Sequence, residues 1–265
     1  MIERKLTLLL FSFVLILGCG RKVDHTSQGK SILSKTIIRD NDLIKVPENP
    51  NNHSSLLPSD FLNSIGRMEI GCTVTHIGDN LAITAGHCLA ASSWYGDGTF
   101  SFVKNISCNA ISGRPLSFYD VSFGVRGASS GFLKGRCKKI VAAENSVFRD
   151  FAIIELDKAP VEKLSLKLSN RAIEGNEITI YSHPGKRPLE WSQECVLLDK
   201  RSDELNRIQY DCDTEGGSSG AAVLDKDTLD IVAIHTNGTP DSYFGHNSGT
   251  TMQDIISKLR KEFNF

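Results

Sequence analysis

Three short segments of the 265-residue chain carry side chains that could together activate a hydroxyl group for nucleophilic attack. Ser219 lies in a glycine-rich loop, while His87 and Asp150 each adjoin a short apolar segment. A serine hydroxyl is a weak nucleophile near neutral pH and needs a base within hydrogen-bond reach. A histidine can be that base, and a carboxylate that accepts from its Nδ1–H keeps the ring oriented. These residues predict acyl-transfer chemistry by a Ser–His–Asp triad that requires no metal or cofactor.

The surroundings of each residue support this assignment. Glycines on both sides of Ser219 let the backbone approach a substrate and turn its N–H groups outward, where they can bind an oxyanion. Asp150 leads directly into the apolar segment 151–156. Asp120 and Asp157 are rival acids for the third position, but neither is followed by the Ala-Ile-Ile run found after Asp150.

The segments that must position these residues are short and apolar, and they alternate with turn residues from about residue 60 onward. This pattern predicts an all-β barrel or sandwich. In 251–263 the apolar residues instead recur at helical spacing, which predicts a C-terminal helix packed on the β structure. The predicted strands lie in 71–77, 81–85, 118–125, 139–143, 151–156, 177–181, 220–224 and 229–234.

The N-terminus has the pattern of an export signal. Two basic residues precede a twelve-residue apolar run, 6–17, which is shorter than the roughly 20 residues needed to span a bilayer. The run ends in Leu-Gly-Cys19, which resembles a bacterial lipobox and predicts lipidation of Cys19 after removal of 1–18. An ordinary secretory signal cut nearby is the alternative. The polar stretch 19–60 is interpreted either as a tether or propeptide or as a segment that caps the domain with an added strand.

The composition and charge of the chain limit the classes of partner that the sequence predicts. The net charge is −1, so no basic excess indicates nucleic acid, and we expect a monomer that acts on proteins or peptides and meets a membrane only through a lipid on Cys19. An exported chain permits disulfides. Without Cys19 the cysteine count is even, and six cysteines can pair in many ways. We expect three local pairs, namely Cys72–Cys88, Cys108–Cys137 and Cys195–Cys212.

The three motifs together, in the order His, Asp, Ser, resemble those of the trypsin-like (chymotrypsin-fold) serine peptidases. The segment Thr84-Ala85-Gly86-His87-Cys88 is similar to their Thr-Ala-Ala-His-Cys, with Gly86 in place of alanine. Asp150-Phe151-Ala152-Ile153 is similar to their Asp-x-Ala-Leu. Gly217-Ser218-Ser219-Gly220 is similar to their Gly-Asp-Ser-Gly, with Ser218 in place of aspartate. The resemblance covers about residues 64–265.

The resemblance implies two perpendicular six-stranded antiparallel β-barrels with the site in the cleft between them. The peptidase domain would span 61–265, with the first barrel at about 64–165, the second at about 166–250 and the helix at 251–263. The backbone N–H groups of Gly217 and Ser219 would form the oxyanion hole, and Cys72–Cys88 would clamp the histidine loop.

Two features move the chain away from trypsin itself. Ser218 cannot form the ion pair with a freed N-terminus that trypsin makes there, and an Ile-Val-Gly-Gly cleavage site is missing. The Gly-Gly-Ser-Ser-Gly form looks more like the bacterial glutamyl endopeptidase (V8-like) branch, in which residues at the places of Thr214 and His235 bind an acidic P1 side chain. Asp213, however, occupies the position that selects Lys or Arg in trypsin. The expectation is a P1 preference for Glu or Asp, with Lys or Arg as the alternative.

Two further functions compete with an exported endopeptidase. One is a lipid-anchored protein that kept the fold as a binding module and lost catalysis. The other is an esterase with the same triad, although the Ser–Asp–His order and helix alternation of the α/β-hydrolases are absent from the sequence.

Overall fold

The computed structural model describes residues 35–38, 40–53, 56–90, 98–161, 174–199, 207–238 and 246–264. The predicted signal segment and Cys19 lie outside these residues. In the part that is described, no helix is both long and apolar enough to cross a membrane.

The N-terminal half of the domain is one curled antiparallel sheet of eight strands. Its strand order is β6-β9-β10-β5-β4-β3-β7-β8. The hairpin between β4 and β5 shows how local sequence builds it: Asp79 and Asn80 have φ of 49° and 60°, the conformation that a two-residue hairpin turn requires. The strands are β3 (Ile65–Met68), β4 (Thr73–Gly78), β5 (Leu81–Thr84), β6 (Phe100–Ile106), β7 (Val121–Phe123), β8 (Leu133–Gly135), β9 (Cys137–Asn145) and β10 (Asp150–Leu156).

The C-terminal half is a closed barrel. The strand order is β11-β15-β16-β17-β13-β12, and a further pairing of β11 with β12 closes the ring of six strands. Closure leaves no unpaired edge within the ring. The strands are β11 (Glu177–Ser182), β12 (Glu190–Asp199), β13 (Arg207–Tyr210), β15 (Ala222–Asp225), β16 (Ile231–Gly238) and β17 (Asn247–Thr251).

These two units confirm the predicted all-β, chymotrypsin-like class. They differ from two equal six-stranded barrels in one respect, because the pairings of the described residues close the second unit and leave the first as a curled sheet of eight strands.

The two halves share a hydrophobic core. Each has its own cluster of buried side chains, and a third cluster joins residues of the first sheet, such as Phe151, to residues of the barrel, such as Trp191. The predicted C-terminal helix is α3 (Met252–Phe263), and it places Met252 and Ile255 in that shared cluster. The Thr251 side chain accepts from the Asp254 N–H and caps the helix.

Two short strands among the described residues 35–46 pair with strands of the C-terminal half. Strand β1 (Lys35–Thr36) pairs with β14 (Thr214–Glu215), β2 (Ile44–Lys45) pairs with β12, and Val46 is buried. Both strands lie within the stretch 19–60 that is interpreted from the sequence as a tether, a propeptide or a capping segment. In the described part of the chain the other helices are α1 (Ser59–Asn63) and α2 (His87–Ala90), and 3-10 turns lie at Pro50–Asn52, Leu116–Tyr119 and Pro184–Lys186.

The structure contains the three disulfides expected from the sequence. They are Cys72–Cys88, Cys108–Cys137 and Cys195–Cys212.

Candidate active site

Strand register brings His87 and Asp150 to the same edge of the first sheet. Ala152 of β10 pairs with Thr84 of β5 in antiparallel register. Asp150, two residues before Ala152, and His87, three residues after Thr84, therefore lie at the same end of this strand pair. Between them, Gly86 passes so close to the backbone carbonyls of Glu144 and Phe151 that a Cβ there would overlap both. This close packing accounts for glycine at the place where the related motif has alanine.

The Asp150 carboxylate holds His87 with both oxygens. Oδ2 lies 2.7 Å from the ring Nδ1, and Oδ1 accepts from the His87 backbone N–H at 2.9 Å. The Asp150 side chain is 7% exposed and the His87 side chain 36% exposed, so the carboxylate is buried behind a ring that reaches solvent.

Two opposing effects set the pKa of His87. Burial lowers the pKa, but the charge of Asp150 and its hydrogen bond favour the imidazolium and outweigh burial, so the pKa of His87 is raised above its ordinary value. A base of raised pKa is well suited to accept a proton from a hydroxyl and to return it later.

The loop that carries Ser219 is bonded to both halves of the domain. The Ser219 carbonyl accepts from the Thr73 N–H of the first sheet at 2.9 Å, and the Gly220 N–H donates to the His235 carbonyl of the barrel at 2.8 Å. Gly217 has φ of +104°, and a Cβ there would lie 2.6 Å from the His183 carbonyl oxygen. Only glycine fits both the backbone conformation and the space.

The same loop presents backbone donors. The Gly216 carbonyl accepts from the Gly185 N–H at 2.5 Å. Because the peptide unit is trans, the Gly217 N–H points the opposite way. Among the described residues, neither the Gly217 N–H nor the Ser219 N–H has a protein acceptor. Both donors are therefore available to a ligand oxygen.

Ser218 takes the place of the related aspartate with a neutral contact. Its hydroxyl is fully buried, lies 2.9 Å from the Ser182 hydroxyl and accepts from the Glu215 N–H at 3.3 Å. At Ser218, the loop that carries Ser219 is thus held by hydrogen bonds within the protein and not by an ion pair.

A cavity of about 260 Å³ is lined both by candidate catalytic residues and by residues of the expected substrate pocket. It brings His87 and Ser219 together with two of the three predicted pocket residues, Thr214 and His235. The other residues that line it are Glu215, Gly216, Thr236, Asn237 and Gly238.

His235 is a neutral histidine with a defined hydrogen-bond partner. Burial, with the nearby charge of His87, lowers the pKa of His235 to about 3, although Asp150 acts to raise it. Its Nδ1 lies 2.7 Å from the Tyr210 hydroxyl, and burial raises the pKa of that hydroxyl well above its ordinary value. Tyr210 has no other acceptor among the described residues. The arrangement that satisfies both groups therefore has Tyr210 donating to Nδ1, and among the described residues no protein group accepts from the Nε2–H.

The Thr214 hydroxyl already donates its proton to an acceptor within the protein. The acceptor is Asn247 Oδ1 at 2.8 Å, and the Asn247 Nδ2 donates to the Cys212 carbonyl, which fixes the orientation of the amide. Of the two predicted pocket donors, His235 is the one whose proton is free in this structure.

Asp213 lies away from the cavity that Ser219 lines. Its carboxylate accepts from the backbone N–H groups of Ile38 and Asp42, each at 2.7 Å, and it borders a separate cavity that Ile38, Asp40 and Asp42 also line. Asp213 is therefore not among the residues that line the Ser219 cavity, although the resemblance to trypsin predicts it at the base of the substrate pocket.

The rival acids are engaged elsewhere. Lys134 lies 3.3 Å from Asp120, and Asp157 accepts from the Arg136 N–H. In the described residues, the one cluster with metal-binding side chains is Cys72, His87 and Cys88, but its two sulfurs form a disulfide. A disulfide offers no thiolate to a metal, so this cluster is a histidine pinned by a cross-link.

Sequence reasoning missed several residues that support the site. Ser182, Gly185 and Tyr210 each contact a site residue from another strand or loop. Arg187 is a fourth: it lies 2.8 Å from Glu190 and 2.9 Å from Glu215, which ties the 184–187 turn to the nucleophile loop. The sequence His183-Pro184-Gly185 is typical of a turn, but it does not show which loop that turn contacts.

The fold and the arrangement of His87, Asp150 and Ser219 define a chymotrypsin-like architecture with the residues of a serine-peptidase site. A family model, the trypsin-like peptidase domain, matches residues 72–234, and the chain belongs to this family.

A glutamyl endopeptidase of Bacillus licheniformis is 24% identical over 206 residues, which cover 71% of this chain and 58% of that protein. The chain therefore matches only a little over half of that relative's length. A solved Glu endopeptidase in complex with MPD has a TM-score of 0.61 at 20% identity and covers 86% of this chain and 98% of its own. The VesB protease of Vibrio cholerae has a TM-score of 0.55 at 16% identity, covering 78% of this chain and 66% of its own.

Proposed function

We propose that the protein is an exported serine endopeptidase that hydrolyses peptide bonds through an acyl-enzyme. The observation that carries the proposal is the His87 ring, held by both oxygens of a buried Asp150 carboxylate at a cavity that Ser219 also lines. Membership of a peptidase family supports the same class of reaction.

Each step uses a group of this chain. His87 removes the hydroxyl proton of Ser219 as the oxygen attacks the peptide carbonyl, and Asp150 stabilises the resulting imidazolium. The N–H groups of Gly217 and Ser219 bind the oxyanion. His87 then protonates the leaving amine, and water, activated by the same ring, releases the acyl group.

We further propose a preference for an acidic P1 side chain. The free Nε2–H of a neutral His235 can donate to a carboxylate in the cavity. Thr214 would join it only by releasing Asn247. The similarity to glutamyl endopeptidases supports the same preference, and Asp213 does not oppose it because it lies outside the cavity.

Labelling with a fluorophosphonate probe tests the catalytic role of Ser219. The wild type and the exposed-serine control Ser117→Ala should be labelled, and Ser219→Ala should not. Turnover should fall on the order of 10⁶-fold in Ser219→Ala. A folded wild type that is never labelled would instead identify a binding module without catalysis.

A series of peptides that differ only at P1 tests the preference. We expect the order Glu above Gln above Lys, and His235→Phe should bring Glu down to the level of Gln. A preference for Lys or Arg would contradict the proposal. Ester substrates with the same acyl groups would show whether esterase activity exceeds peptide hydrolysis.

Export and lipidation at Cys19 complete the proposal. Three disulfides in the domain support folding in an oxidising compartment. The intact mass of the membrane fraction, compared between wild type and Cys19→Ala, should show an added lipid in the wild type alone. An unmodified mass in both would favour an ordinary secretory signal.

A further inference from the structure

Asp213 is a buried carboxylate whose partners are backbone amides of a distant segment. It is 4% exposed and accepts from Ile38 and Asp42 at 2.7 Å with its two separate oxygens. Among the described residues, no cation is paired with it. Hydrogen bonds to a charged acceptor are among the stronger ones in proteins, so these two bonds hold Ile38 and Asp42 firmly against Asp213.

The strand that follows Asp213 has an unusual partner. Strand β14 (Thr214–Glu215) belongs to neither sheet of the domain, and in the described chain it pairs with β1 alone. Thr36 lies opposite Thr214, and Lys35 lies opposite Glu215. Thr214 and Glu215 line the Ser219 cavity, so one wall of that cavity is paired with the N-terminal segment and not with the barrel.

A two-residue pairing is too short to hold by itself, since isolated two-stranded pairs are marginal in water. The Asp213 carboxylate supplies the additional attachment directly beside it. Because the donors are internal backbone amides, this docking needs no free amino terminus.

We propose that Asp213 is a positioning residue for substrate: it docks the described N-terminal residues 35–38 and 40–42, and these docked residues order the Thr214–Glu215 wall of the pocket. Asp213 therefore acts through β1 and β14 and does not touch the P1 side chain. This inference rests on the proposed peptidase function. It gives Asp213 a positioning role, whereas the resemblance to trypsin would have Asp213 select Lys or Arg at P1.

The test compares Asp213→Asn with Asp211→Asn. Asp211 is a matched control, because its carboxylate also accepts a backbone amide, that of Val196, but from the barrel itself. In Asp213→Asn, an amide NH₂ replaces one of the two acceptors. We expect kcat/KM for a P1-Glu peptide to fall about tenfold or more, chiefly through a higher KM. The labelling rate of Ser219 by a small fluorophosphonate without a P1 side chain should fall much less.

Amide hydrogen exchange measures directly whether these N-terminal residues stay docked, which kinetic constants do not show. The amides of Ile38, Asp42 and Thr214 should lose protection in Asp213→Asn and keep it in Asp211→Asn. Ile38→Pro, which removes one donor and leaves Asp213 unchanged, should raise KM in the same way. The double variant should be no more than about twofold worse than Asp213→Asn alone, because both changes remove one interaction.

The outcomes separate the proposals. If Asp213→Asn keeps amide protection and kcat/KM within about twofold of Asp211→Asn, the docking role is refuted. A selective loss of cleavage after Lys with unchanged protection would also refute it and would restore the trypsin-like role. A wild type that fluorophosphonate does not label would refute the peptidase function itself. If Asp213→Asn does not fold, the KM and amide protection of Ile38→Pro test the docking role instead, because Ile38 lies outside both sheets.

Discussion

Replacing Asp150 with asparagine should leave the fold intact and almost abolish activity. In the wild type the two carboxylate oxygens face two donors, the His87 backbone N–H at 2.9 Å and the ring Nδ1–H at 2.7 Å. Asparagine keeps one acceptor and turns the other into a donor. The backbone N–H cannot change role, so the amide oxygen should stay with it and the NH₂ group should face Nδ1.

The consequence is the wrong tautomer of His87. With an NH₂ donor at Nδ1, the ring carries its proton on Nε2 and can no longer accept one from Ser219. In this kind of triad, the same change lowers kcat by about 10⁴. A factor of 10⁴ corresponds to about 5.4 kcal/mol of transition-state stabilisation.

The assay is kcat/KM for a P1-Glu peptide in Asp150→Asn, with the thermal midpoint measured alongside. Asp157→Asn is the matched control, because Asp157 is an exposed carboxylate that also accepts a backbone amide, that of Arg136. The control should retain wild-type activity. If Asp150→Asn keeps more than about a tenth of the wild-type rate while folded, the tautomer argument is refuted.

Three other predictions follow from the same site. Gly217→Ala places a Cβ 2.6 Å from the His183 carbonyl at a φ of +104°, so it should displace the oxyanion donor and lower kcat by about 10²-fold with KM little changed. The acid limb of kcat/KM should lie above pH 6.5, because the Asp150 carboxylate raises the pKa of His87 against burial and a protonated ring is no base; a limb below pH 6 would contradict this. Burial lowers the pKa of His183 to about 4 and that of His235 to about 3, so the unfolded chain binds more protons than the native chain below pH 6.5. The urea midpoint of unfolding should therefore fall as the pH drops from 6.5 to 4. This fall should be smaller in His183→Gln, because that variant lacks one of the two histidines.

Much of the site could be predicted because its motifs are local. The apolar segments around His87 and Asp150 are strands, and antiparallel register then puts the residues at their ends side by side. The turn at Asp79 and the helical spacing in 252–263 are also local signals, and both structures formed as their residues favour.

The pocket could not be predicted in the same way, because its properties come from partners far apart in the chain. The trypsin comparison assigned Asp213 a role in the pocket, but its nearest donors, Ile38 and Asp42, are more than 170 residues away and no local pattern connects them. The proton of His235 is on Nε2 because Tyr210 donates to Nδ1, and the Thr214 hydroxyl donates to Asn247 and not into the cavity.

The sequence by itself determined which residues can do the chemistry, since a nucleophile, a base and an acid must each be a particular type of side chain at the end of a particular strand. The tertiary structure decided where their protons lie and that Asp213 does not line the Ser219 cavity. The physical reason is that tautomers, pKa shifts and the direction of a hydrogen bond are set by whichever groups the fold brings within about 3 Å. For Asp213 and His235, those groups come from other strands.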